Sequence, residues 1–206
     1  MLSEKNIRHL EDYRQTVADE MSDALEQVNA ETYQQAVDLI LDCRKAGGRI
    51  HVTGIGKPAH IGGYIAPLMS STGTPCYELH GTEAVHGSSG QVVPGDVVIA
   101  ISNSGETAEL KATVTALKKN GAKIIGVTGN ASSWLAKASD AHLLAHVSAE
   151  GGPLNRAPRL SILAETLVLQ ALSVVLQEHA GVTPKQYVKW HPGGKLGELR
   201  KGEEGV

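Results

Sequence analysis

Along the first 45 residues apolar positions are sparse and spaced three or four apart, as at Ala36, Val37, Ile40 and Leu41, within a background rich in Glu, Gln and Ala. That spacing predicts one or two helices between about 3 and 45. The pattern then changes period. Arg49–Gly54 is a short β-branched run that ends in a glycine turn, followed by a helical stretch from about Pro58 to Ser71. Pro58 fits there because a first-turn amide has no intrahelical partner to lose. The alternation repeats. Strands are expected at Cys76–His80, Asp96–Ile101, Lys123–Thr128 and His142–Val147, with helices running to about Asn120 and over Ser133–Ala138. A long apolar helix, Leu160–His179, follows Gly151-Gly152-Pro153, and its few polar faces suit an oligomer interface or burial within its own chain. Five strands alternating with helices predict a doubly wound, three-layer α/β/α fold around a five-stranded parallel sheet. The segment 201–206 is expected to be a frayed tail.

Composition narrows the ligand class. The 206 residues carry a formal net charge of -3 with 9 histidines uncounted, which offers no basic footprint for nucleic acid. Phe is absent and aromatics make up 3%, which argues against a base-stacking surface and for a core of Ile, Val, Leu and Ala. No signal-like segment opens the chain, and no apolar run approaches the ~18 residues that suggest a membrane span. With only Cys43 and Cys76, the expectation is a single cytoplasmic domain, 1–206, whose partner is a small molecule.

Two loops carry candidate chemistry. Ser102-Asn103-Ser104-Gly105-Glu106-Thr107 lies where a strand gives way to a helix, so hydroxyls and free helix amides can receive a phosphate. Simple N-capping by Ser104 would explain one of its hydroxyls. The other loop, Gly54-Ile-Gly56-Lys57-Pro58-Ala59, fits G-x-G-x-x-A with Glu78 downstream, so a dinucleotide is the rival ligand. It is not a Walker A loop, since His51 and Pro58 replace the required glycine and hydroxyl. Lys57 there can instead meet a phosphate or an enediolate. His80, His86 and His191 can serve as acid, base or ligand, but no metal-binding spacing supports a metal, and the His142–His146 pair falls on a predicted strand. Glu109 lies a turn into its helix, and helical side chains lean towards the N-terminus, hence towards the crevice.

Taken together, Gly54-x-Gly56-Lys57, Gly81-Thr-Glu-Ala-Val-His86-Gly87, Ile101-Ser-Asn-Ser-Gly-Glu-Thr-Ala-Glu109 and His191-Pro-Gly-Gly-Lys-Leu-Gly197 resemble the SIS (sugar isomerase) domain, most of all arabinose-5-phosphate isomerases. The resemblance implies phosphosugar binding at the Ser-rich loop and a homodimer or homotetramer with sites near subunit contacts. It implies Lys57, His86, Glu109 and His191 as catalytic residues, with Gly56, Ser102, Asn103, Ser104 and Thr107 binding substrate and no cofactor required. The implied reaction interconverts D-arabinose 5-phosphate and D-ribulose 5-phosphate through an enediol or enediolate. Family members often carry a C-terminal CBS pair, so a stand-alone isomerase domain is expected. The chain departs from the pattern at Pro58, commonly Ser, and over Ala157–Glu165, commonly Ser/Thr-rich. Arg159 and Glu165 therefore enter as further substrate contacts, an arrangement reminiscent of 6-phospho-3-hexuloisomerases; helix capping and a salt bridge are the plainer reading. A phosphosugar sensor without turnover would keep the loops but has no need of the titratable set.

Overall fold

The computed structural model describes residues 1–205. Two helices lead, α1 (Glu4–Glu26) and α2 (Ala30–Lys45), capped by the side chains of Ser3 and Asn29. Then come β1 (Ile50–Gly54), α3 (Lys57–Ser71) and β2 (Cys76–Glu78). Two 3₁₀ turns, Glu83–His86 and Ser88–Gln91, lead to β3 (Val97–Ile101) and α4 (Ala108–Lys119). The chain continues through β4 (Lys123–Thr128), α5 (Trp134–Ala138), β5 (Ala141–Leu144), α6 (Leu160–Ala180) and α7 (Pro184–Trp190).

All strand pairs are parallel, in the order β2-β1-β3-β4-β5. This is the expected five-stranded doubly wound sheet. β3 shows why its sequence reads as an unbroken apolar run: Val97, Ile99 and Ile101 pack towards the α2, α3 and α6 side, while Val98 and Ala100 pack under α4. A parallel strand covered on both faces has no polar side to alternate with. Helix α1 is tied down at its end, where the Gln27 amide exchanges two hydrogen bonds with the backbone of His146.

Several boundaries differ from the sequence expectation. β2 stops at Glu78, because His80 turns away to accept the Glu83 amide proton at the next turn. β5 stops at Leu144, three residues short, as His146 reaches back to Gly129. Unlike the sequence expectation, helix α6 is long and apolar enough to cross a membrane by length and composition. About half of its most apolar stretch is buried within the protein, and α6 packs on α3, α1 and α2.

Candidate functional site

The strand order reverses direction between β1 and β3, which is where an open α/β sheet leaves a crevice for ligand. Gly54 and Ile101 are register partners, so the loops that follow them leave neighbouring strand ends, about 5 Å apart. Each loop opens a helix whose first amides receive no side-chain cap. Two uncapped helix N-termini therefore face one crevice, and their partial positive charges add.

Glycine is required twice in the first loop. Gly56 has φ +67, a region that L side chains rarely adopt, and a Cβ on Gly54 would lie 2.8 Å from the Pro58 carbonyl carbon. The turn is tight enough to place Lys57 in the first turn of α3, exposed on the crevice rim. In the second loop Ser102 is buried and its Oγ lies 3.2 Å from both Thr107 Oγ1 and the Gly105 amide. Ser102 thus shapes the loop from within. Ser104 accepts the Glu106 amide proton rather than capping α4, whose N-cap is Thr107. Gly105, at φ +63, is packed against Ser133 with no room for a Cβ. Asn103 buttresses the neighbouring loop, its carbonyl accepting from the Gly129 amide at 2.9 Å. Ser104 and Asn103 are exposed beside the free α4 amides, and Glu109 lies exposed on the first turn of α4. Glu106 is occupied elsewhere: Lys111 and the Trp134 amide hold its carboxyl below the usual range.

The histidines are dispersed. His86 is exposed on the turn that packs against α4. His142 hydrogen-bonds Thr128, with burial lowering its pKa, and His146 donates to Gly129, so the pair does not converge. His191 is not beside Lys57. Its helix, α7, lines a hollow with Arg44, Ser70, Gly73 and Pro75, at the far end of α3 from Lys57. Helix α3 has 15 residues, so the two positions are separated by on the order of 20 Å along its axis.

Around α6 the sequence reading needs correcting. Arg159 forms no ion pair among the described residues; its guanidinium donates to the Gly151 carbonyl at 3.0 Å. Glu165 is fully buried, and neither carboxyl oxygen has a hydrogen-bond partner. Burial, helped by the charge of Glu150, pushes its pKa up to about 8, so it is a neutral acid at pH 7. Ser161, one turn earlier, has an equally unpartnered hydroxyl. The sequence reading missed Glu150. Its carboxylate accepts the amide protons of Arg159, Leu160 and Ser161 at 2.6, 2.9 and 3.2 Å and so caps α6 from across a loop. Its position after β5 and before the long helix was the available signal.

The SIS domain profile matches residues 43–175. Escherichia coli arabinose 5-phosphate isomerase KpsF is 37% identical over 187 residues, covering 89% of this chain and 58% of the relative. Arabinose 5-phosphate isomerase KdsD of Escherichia coli K12 is 40% identical over 173 residues, covering 84% and 52%. The chain therefore spans about half the length of these curated relatives. The solved structure of E. coli CFT073 c3406 in complex with arabinose 5-phosphate superposes with a TM-score of 0.81 at 33% identity, covering 93% of this chain and all of that one.

Proposed function

The chain belongs to the SIS domain family, and from that premise we propose that it is an aldose–ketose isomerase acting on a five-carbon sugar phosphate, D-arabinose 5-phosphate to D-ribulose 5-phosphate. The observation that carries this reading is the pairing of Gly54 with Ile101, which gathers Lys57, Glu109 and two uncapped helix N-termini at one crevice. The phosphate is assigned to the α4 N-terminus, where Ser104 and Thr107 add hydroxyls to the free amides and Ser102 and Asn103 hold the loop in shape. Gly56 lets the α3 N-terminus approach the sugar.

With the phosphate anchored, a carboxylate removes the C2 proton, the electron pair moves into a C1–C2 double bond, and the aldehyde oxygen becomes an enediolate oxyanion. Glu109 is the base we assign, since it stands on the helix that holds the phosphate; His86, on the adjoining turn, is the alternative base. Lys57 offsets the oxyanion charge. The C2 hydroxyl proton passes to the C1 oxyanion and the abstracted proton returns to C1, which leaves the carbonyl at C2 and gives the ketose, so no electron acceptor is required. His191 is assigned to handling hydroxyl protons as the sugar ring opens, and, since it lies at the far end of α3, we assign its supply to a second copy in a homodimer or homotetramer. Arg159, fixed to Gly151, and Glu165, sealed on the buried face of α6, are assigned to shaping the α6 rim rather than touching substrate. Helix α6 acts as a core helix, and the free, buried thiols of Cys43 and Cys76 suit a cytosolic setting.

The test is a coupled assay for ribulose 5-phosphate with wild type, Lys57→Ala and Glu109→Gln, and tritium exchange from solvent into substrate. Both side chains are exposed, so folding should survive and turnover should fall by about 100-fold or more. Wild-type binding of the phosphosugar with neither turnover nor exchange would replace this reading with a sensor. Turnover of a hexulose 6-phosphate alone would reassign the substrate.

A further inference from the structure

The surroundings of His191 are more elaborate than a surface histidine needs. Its Nδ1 lies 2.7 Å from the backbone carbonyl oxygen of Tyr187, one turn earlier in α7. The two rings are stacked, with centroids 3.9 Å apart and planes 24° from parallel. The main chain is also held: the His191 amide donates to Val188 O at 3.0 Å, and the His191 carbonyl is packed so closely by Gly197 that no Cβ fits there. Ring and backbone are therefore fixed together.

A carbonyl oxygen can only accept, so Nδ1 must carry the hydrogen, and the neutral ring presents Nε2 as a bare lone pair. We infer that Tyr187 is a positioning residue for His191: its carbonyl selects the Nδ1–H tautomer and its ring holds the imidazole plane, presenting Nε2 to accept a proton from a sugar hydroxyl. When Nε2 takes that proton, the resulting imidazolium keeps its bond to the Tyr187 carbonyl, now charge-assisted. No proton need leave Nδ1. The catalytic half of this inference rests on the isomerase reading; the tautomer does not. Tyr187 Oη has no hydrogen-bond partner among the described residues, so the ring rather than the hydroxyl should matter.

Two measurements on the intact chain separate these parts. In ¹⁵N-histidine NMR, the signals that vanish in His191→Gln should show a proton-bearing Nδ1 and a pyridine-type Nε2; an Nε2–H tautomer would overturn the inference. In the isomerase assay, Tyr187→Leu should lower kcat about fivefold with KM nearly unchanged, because alignment and not binding is lost. Tyr187→Phe, which keeps the ring, should restore it. Full kcat in Tyr187→Leu, alongside turnover lost in His191→Gln, would remove the positioning role. Full turnover in His191→Gln would instead remove the proposed part of His191 in the reaction, leaving the NMR result to decide the tautomer.

Discussion

At Glu165 a carboxyl group is buried without a partner, and the sign of its contribution follows from the direction of its shift. Its folded pKa of about 8 lies above its ordinary 4.5, so the folded state holds a proton that the unfolded chain releases. The stability tied to this group is complete below 4.5 and is lost as pH rises through 8, by on the order of 3 kcal/mol at pH 7. His51 and His142 act in the opposite sense. Burial holds both below the ordinary 6.5, and for His51 it outweighs the attraction of Asp96, 3.4 Å away. Their contribution is present above 6.5 and is lost as pH falls through the lower folded values. Glu165→Gln should therefore flatten the decline in urea-unfolding stability between pH 5 and pH 8 while leaving the acid-side fall intact. An unchanged slope in that variant would mean that Glu165 is ionised in the folded protein. None of this was legible in the sequence, where Glu165 stands as one acidic residue in an apolar helix. The placement of Lys57, Ser104 and Glu109 was legible because it is local: each lies within a few residues of a strand end and a glycine turn.

Helix α6 shows what lies between residue and fold. Its start has no side-chain cap from its own N-cap residue, Arg159, and is closed instead by Glu150, nine residues before Arg159. Three amides share that one carboxylate, so Glu150→Ala should cost about 1–2 kcal/mol in urea unfolding, and Glu150→Gln, which keeps an acceptor oxygen, should cost less. Equal losses in the two variants would assign the effect to charge alone. The loop before α4 makes a second case. Gly105→Ala would have to hold φ +63 and displace Ser133, the N-cap of α5, so a fall of several degrees in Tm is expected with weaker phosphosugar binding. An unchanged Tm would show that the two loops are not rigidly coupled. Strands β1, β3 and β4 were legible almost to the residue because continuous β-branched runs between glycines have few other readings. Helix α7 was missed, although Thr183 and Pro184 supply the N-cap and first-turn proline that mark a helix start. The long-range cap at Glu150 was invisible because capping was sought next to the helix, and the chain supplied it from across a loop.

For the whole molecule, the constraint is the length of α3. Lys57 and Glu109 stand at the strand ends where α3 and α4 begin, whereas α7 packs where α3 finishes. A rigid helix of 15 residues cannot let both ends serve one sugar, so a site that uses Lys57 and His191 together must draw them from different copies. The consequence can be counted. If each variant alone is inactive, a random mixture of Lys57→Ala and His191→Ala chains assembled as dimers makes about half of its dimers hybrid, and each hybrid holds one intact site and one doubly altered site. Co-expression should therefore recover about a quarter of wild-type turnover per protomer from two variants that are each inactive. Mixing after purification should recover it only as fast as the copies exchange. If the hybrids stay inactive while subunit exchange is demonstrated by mass, His191 does not complete the partner's site, and the histidine at the end of α7 must be given a role within its own chain.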